Sequence, residues 1–334
     1  MQWRGGRRSS NVSDQRGSGG FGSLGGGGFG GLGGGGGGFG RGPRIGGLGI
    51  VGVIAFFVIA SFMGIDPTAI LNGGGSSSSG SGNGDVVGDI LSGRSGYEQN
   101  SGTASSGKGD ATTEEELKDF VSVILASTED VWTQIFSEGK GSYRQPTLVL
   151  FSGATQSACG YAQSAMGPFY CPPDRQIFLD TGFFREVETR FRGCSGNACK
   201  FTAAYIIAHE AGHHIQNLLG ILDKSRQMQE RAGSKAEANA IQVRVELQAD
   251  CLSGVWVNRE EKKRPGFLEA GDIDAALQTA SAIGDDTLQR QSTGRVVPDS
   301  FTHGSAAQRK RWFMTGYQQG SVQACNTFAS GVQL

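Results

Sequence analysis

The chain has 334 residues, 57 of them Gly, with 37% apolar and 18% charged residues. The Gly share is more than twice the usual one. It has no Gly-X-Y period, which excludes collagen. Roughly 220 residues after position 110 have ordinary composition and can bury a sizeable core, which excludes a wholly disordered chain. The net charge of −1 hides two blocks: six Arg (Arg4, Arg7, Arg8, Arg16, Arg41, Arg44) and one acid (Asp14) precede Ile45, leaving 24 basic and 30 acidic residues after it. Opposite blocks suggest two environments.

Residues 1–44 are a Gly-Phe/Gly-Leu low-complexity stretch with scattered Arg. They are too poor in apolar side chains to offset chain entropy and read as a disordered cytoplasmic tail. An Arg-and-Phe tail can bind nucleic acid. A basic tail beside anionic lipid is the simpler reading, so no nucleic-acid partner is expected. Residues 45–65 (IGGLGIVGVIAFFVIASFMGI) hold no charge and no Pro. Roughly 20 apolar residues span a ~30 Å hydrocarbon core. With Arg41 and Arg44 before the stretch and Asp66 after it, the positive-inside rule predicts one transmembrane helix. The expected place is the bacterial inner (cytoplasmic) membrane, N-terminus cytoplasmic and the main domain periplasmic. A cleaved signal peptide and a buried core helix are the rivals. The long preceding tail counts against the first, and the low-complexity flanks count against the second. Residues 66–110 are a Gly/Ser-rich flexible linker.

The domain is predicted over residues 111–334. Thr113 and Glu116 fit a capping box, followed by apolar residues at helical spacing from Leu117 to Phe136. TLVLF (147–151) and QIFLD (176–180) read as short buried strands. Helical patterns follow at 202–219, 226–259, 271–283 and 305–319. This order predicts an α+β fold, mostly helical with a small sheet. The six cysteines all lie in this domain. Outside a membrane they suggest disulfides, with fifteen possible pairings. Cys159–Cys171 and Cys194–Cys199 close short Gly-containing loops, leaving Cys251–Cys325. A Cys zinc site is the rival, and only Cys194 and Cys199 approach ligand spacing.

Three of the four His lie in His209-Glu210-Ala211-Gly212-His213-His214. This is an H-E-x-x-H motif on a predicted helix stopped by Gly220. His209 and His213 share a face one turn apart and can reach one Zn2+ at ~2.0–2.1 Å. Glu210 sits beside them as a general base. His214 points off that face and reads as structural or as support for the ligands. A catalytic zinc needs a third protein ligand. The H-E-x-x-H-x-x-G-x-x-H extension fails, because Gln216 and Leu219 stand at its Gly and His positions. Glu246 and Asp250 share a face at i,i+4 among apolar neighbours. Glu246 is the candidate third ligand, and Asp250 can accept a ligand imidazole N–H; a solvated acidic face is the rival. Glu237 is a weaker candidate. His303 precedes a helix whose capping box is Ser305 and Gln308. It can donate to the oxyanion at a scissile carbonyl, or be a hydrogen-bonded structural His. Arg309 can pair with an acid near the site, Asp250 for instance.

AYIIAHEAGHHIQNLLG (204–220), RVELQADCLSGVW (244–256) and FTHGSAAQRKRWFMTGY (301–317) resemble the bacterial putative neutral zinc metallopeptidase family. The likeness covers roughly residues 111–323 and touches 4–16. The Glu-x-x-x-Asp motif is similar to that of gluzincins. The resemblance implies a zincin-like fold and one Zn2+, with His209, His213 and Glu246 as ligands and Glu210 as base. The members resemble single-pass membrane proteins. In zincins an edge strand ahead of the active helix binds substrate as an added strand, which would assign Ile177, Phe178 and Leu179 to the substrate. The expected function is a membrane-anchored peptidase acting on peptide or protein substrates in the cell envelope. A non-enzymatic envelope scaffold with structural zinc, and an enzyme acting on cell-wall cross-links, stay open. Oligomeric state is not readable.

Overall fold

The computed structural model describes residues 1–16, 109–163, 167–184 and 197–334. The predicted transmembrane helix (45–65) and nearly all of the predicted linker lie outside the described residues.

Strand β1 (Val12–Asp14) is followed by α1 (Gly109–Glu138), β2 (Thr147–Phe151), the hairpin β3–β4 (Ala154–Ser157, Gly160–Gln163), β5 (Phe169–Cys171) and β6 (Gln176–Asp180). Helices α2 (Asn197–Leu218), α3 (Ile221–Glu230), α4 (Lys235–Lys263), α5 (Asp272–Ala282), α6 (Asp285–Thr293) and α7 (Ala306–Gln319) follow. The main sheet has the order β1-β2-β6-β5, with β1, β2 and β6 parallel and β5 antiparallel to β6. The α+β expectation agrees with this mostly helical architecture.

The N-terminal strand corrects the membrane topology. Val12, Ser13 and Asp14 pair with Leu148, Val149 and Leu150 of β2. Trp3 is buried edge-on against Phe120 of α1, ring centroids 5.4 Å apart. Four of the six arginines of the basic block are engaged on the domain. Arg4 pairs with Glu116 at 2.7 Å, Arg7 with Glu129 at 2.8 Å, and Arg16 with Glu114 at 2.7 Å; Arg8 pairs with Asp119. Residues 1–16 are therefore part of the domain and not of a disordered tail. A single crossing would put the two ends of residues 17–108 on opposite faces of a bilayer, whereas β1 before them and α1 after them belong to one domain. Among the described residues no helix is long and apolar enough to cross a membrane. The single-pass anchor, the membrane partner and the inner-membrane location with a cytoplasmic N-terminus are overturned.

Three further expectations change. Helix α1 begins at Gly109, so Thr113 is inside it and is not its cap. The long pattern 226–259 is two helices: residues 231–234 separate α3 from α4, whose N-cap Ser234 accepts from the Glu237 N–H. Glu237 itself accepts from the Gly233 N–H at 2.8 Å, which makes it a capping residue and not a ligand. Strand β6 is interior, flanked by β2 and β5, and Ile177, Phe178 and Leu179 are each at most 1% exposed. An interior strand has no free hydrogen-bonding edge, so these residues cannot receive a substrate strand.

Helix α2 runs through the centre, buried from Phe201 to Gln216, and packs on α1, α4, α5 and the sheet. Its Ala and Ile faces are covered all round, as an all-apolar helix requires. Gly212 lets α2 meet α4 closely: a Cβ there would lie 3.1 Å from the Ala249 carbonyl oxygen. Helices α4 and α7 touch backbone to backbone, because a Cβ on Gly316 would lie 1.8 Å from the Cys251 carbonyl oxygen. These two approaches bring α2, α4 and α7 together at one point. Disulfides Cys159–Cys171 and Cys251–Cys325 are formed. Cys199 is disulfide-bonded, and Cys194 lies outside the described residues.

Candidate metal centre

The point where α2 meets α4 holds His209, His213 and Glu246, all buried, with one ligand atom of each within 4.8 Å of the others. Glu246 Oε2 lies 3.3 Å from His209 Nε2 and 3.5 Å from His213 Nε2. The two imidazoles stand nearly perpendicular, centroids 4.8 Å apart. Tetrahedral zinc with bonds of about 2.0–2.1 Å sets its ligand atoms about 3.3–3.4 Å apart.

The surroundings fit a cation as well as the spacing does. His209 Nδ1 donates to Asp250 Oδ1 at 2.8 Å, and His213 Nδ1 donates to Gln216 Oε1 at 2.8 Å. With both Nδ1 atoms engaged, both Nε2 atoms turn toward the same carboxylate oxygen. Gln242 holds the other oxygen of Glu246 by donating to Oε1 at 2.8 Å. Three groups able to give an electron pair, two imidazole Nε2 atoms and a carboxylate oxygen, thus converge on one point, which is what a metal requires.

Asp250 is saturated by donors. Its Oδ1 accepts from Tyr205 Oη at 2.6 Å, from His209, and from Arg309 Nη2 at 2.9 Å, and its Oδ2 accepts from Arg309 Nε at 2.8 Å. Arg309 reaches it from α7, whose N-terminus is closed by the Ser305–Gln308 capping box. Asp250 is held well below the usual carboxylate range: burial acts against this, and Arg309 and His209 overcome it. Glu246 is likewise depressed, by His213 and His209 against burial. Glu210 goes the other way. Burial raises it, and His213 and His209 oppose this only partly. The two carboxylates are thus pushed in opposite directions, Glu210 by burial and Glu246 by the two imidazoles against burial. Among the described residues none hydrogen-bonds the Glu210 carboxylate.

His303 sits at the rim, with its side chain 26% exposed. Its Nδ1 faces Asp285 Oδ1 at 3.3 Å, and Asp285 Oδ2 accepts the backbone N–H groups of Thr302, His303 and Gly304. Burial lowers the His303 pKa, but Asp285 and Glu246 outweigh it and the net shift is upward. His214 is a structural tie: its Nε2 donates to the Arg144 carbonyl at 2.6 Å, and its Nδ1 accepts from Tyr170 Oη at 2.9 Å.

A family model described as "Putative neutral zinc metallopeptidase" matches residues 1–328. The chain belongs to this family. With the His-His-Glu cluster, that makes it a zinc-dependent metallopeptidase with one Zn2+ site. It is similar to "Uncharacterized protein YpfJ" of Escherichia coli (strain K12), at 40% identity over 340 residues, 99% of this chain and 100% of that protein. It is also similar to "Uncharacterized protein Rv2575" of Mycobacterium tuberculosis (strain ATCC 25618 / H37Rv), at 43% identity over 212 residues, 61% of this chain and 68% of that protein. No solved structure matches the chain. The match from residue 1 agrees with an N-terminal segment built into the domain.

Four residues around the centre escaped the sequence reading. Gln216 stood three positions after His213 on the same helical face, a legible signal. Gln242 stands four before Glu246 in the same way. Tyr205 is four before His209. Asp285 lies on α6, a polar helix with one Leu and no apolar stripe, so no periodicity announced it.

Proposed function

We propose that the protein hydrolyses peptide bonds with Glu210 as general base and His209, His213 and Glu246 holding the zinc. When bound, zinc supplies Lewis acidity, polarising a carbonyl and lowering the pKa of water to about 7. Glu210 accepts a proton from the attacking water and returns it to the leaving amine. Its raised pKa suits both steps, and the absence of any described hydrogen-bond partner leaves its oxygens free for them. Asp250 and Arg309 hold His209 in the tautomer that keeps Nε2 for the metal. His303, whose raised pKa favours the imidazolium, gives its Nδ1–H to Asp285 and keeps its Nε2–H to donate to the oxyanion that forms at the scissile carbonyl.

The observation that carries this reading is the convergence of three ligand atoms beside an unengaged carboxylate. A structural zinc is closed by four protein ligands. Among the described residues three converge, and all described cysteines are in disulfides. This disfavours a scaffold with structural zinc. The test is Glu210→Gln, which is expected to keep full zinc occupancy and lose hydrolysis of a peptide library. Cleavage at the wild-type rate by that variant would refute Glu210 as the base.

A further inference from the structure

We propose that Gln216 is the positioning residue of His213, and that its amide is clamped so that His213 always offers Nε2 to the metal. This rests on the reading that His213 ligates zinc.

Gln216 is fully buried at 0% exposure, one turn along α2 from His213. Its Nε2 donates to the Val245 carbonyl at 2.8 Å and to Gln248 Oε1 at 3.0 Å. Gln248 is itself oriented, because its Nε2 donates to the Cys325 carbonyl at 2.9 Å. Cys325 is tied back to α4 through its disulfide with Cys251. Each link has one allowed direction. A carbonyl oxygen only accepts, so Gln248 presents its NH2 to Cys325 and its Oε1 to Gln216. Gln216 must therefore present its NH2 to Gln248 and Val245. Turning the amide over could satisfy one N–H on His213 Nδ1, but it would set the amide oxygen against two acceptor oxygens in a buried site and leave its second N–H unmet, a cost of about 1–3 kcal/mol for each unsatisfied group.

Only Oε1 of Gln216 then remains for His213, and it can only accept. His213 must carry its proton on Nδ1, which keeps the Nε2 electron pair directed at the centre. The relay does for His213 what Asp250 does for His209, but without a charge. The site thus has one ligand imidazole on a carboxylate and the other on a neutral amide. The relay also runs from the metal to the C-terminal segment, so the last residues of the domain bear on ligand geometry.

The test uses the full chain. Gln216→Met keeps the side chain's length and removes the acceptor. Zinc affinity, read by competition with a chelating dye, should fall about 10- to 100-fold, as for other residues that support metal ligands. In the zinc-loaded protein, nitrogen-15 spectra should show exchange-protected Nδ1–H signals for His209 and His213. Gln216→Met should lose the His213 signal and keep that of His209. A general loss of structure would remove both. Gln248→Met leaves the contact atom in place and loosens its clamp, so it should weaken zinc binding by a smaller factor. Wild-type zinc affinity in both variants, with the His213 signal retained, would overturn the proposal. His213→Ala separates this from the parent reading: if that variant keeps zinc, His213 is not a ligand, whatever Gln216 does.

Discussion

Arg309 and Asp250 form a two-pronged ion pair, Nε to Oδ2 at 2.8 Å and Nη2 to Oδ1 at 2.9 Å, with at most 3% of either side chain exposed. It joins α7 to α4 and lies directly behind His209. Tyr205 and His209 add two more donors to Oδ1, so the buried carboxylate accepts four hydrogen bonds in all.

Arg309→Met would leave Asp250 buried and uncompensated. Losing one partner of such a pair costs about 3–5 kcal/mol. Denaturant unfolding should show that loss, and elemental analysis should show reduced zinc, because His209 loses its orienting acceptor's anchor. Arg309→Lys should recover little, since an ammonium cannot reproduce the planar fork.

Gly316→Ala should be among the most damaging single-methyl changes at the described glycines. The new Cβ would stand 1.8 Å from the Cys251 carbonyl oxygen and 2.9 Å from the Val255 backbone nitrogen, and backbone atoms in a helix cannot give way. Overpacking of this kind costs about 1–3 kcal/mol and occasionally more. The expected result is a lower unfolding midpoint together with weaker zinc binding, because α7 also carries Arg309. An unchanged midpoint would mean that α4 and α7 do not touch there.

Trp3→Ala should destabilise the domain as a core mutation does, by about 3–5 kcal/mol, although 92 undescribed residues separate this segment from α1. The segment also serves Glu129, buried at 1% exposure, which accepts from Arg7 at 2.8 Å, Ser9 at 2.6 Å and Asn11 at 2.7 Å. Deleting residues 1–16 would remove all three donors and uncover the β2 edge. Wild-type stability of Trp3→Ala in denaturant would place the segment outside the fold.

Asp285 sets an acid dependence. Burial raises its pKa, but hydrogen bonds from His303 and from the backbone of residues 302–304 win, and the folded value lies below the ordinary one. A depressed carboxylate contributes stability above the unfolded pKa of about 3.9 and loses it as pH falls through the folded value. Asp285→Asn should therefore lower stability at neutral pH and flatten the decline below about pH 4. Chemical denaturation at pH 7 and pH 3 checks both.

The metal motif was legible because it is local. His209, Glu210 and His213 lie within five consecutive positions of one helix, so the common face of the two His follows from helical geometry alone. Glu246 and Asp250 were legible as an i,i+4 pair on an apolar helix. Neither spacing could say that Asp250 would turn to His209 and Arg309 while Glu246 faced both imidazoles; that depends on how α2 crosses α4 at Gly212.

What the sequence by itself determined is a metal motif, a third ligand on a separate helix, and the mostly helical α+β class. Those features are written in short-range periodicity, which a helix converts directly into geometry. Only the tertiary structure decided the rest. Strand β1 pairs with β2 across more than 130 residues of chain, and three-residue strands carry no periodicity that names a partner. That pairing turned a basic tail into part of the sheet and removed the premise of the membrane topology. Strand β6 became interior because β5 folds back on it, which no local pattern announced. Gln216 acquired its role from Val245, Gln248 and Cys325, acceptors brought to it by helix packing and a disulfide, and long-range contacts of that kind are visible only once the chain has folded.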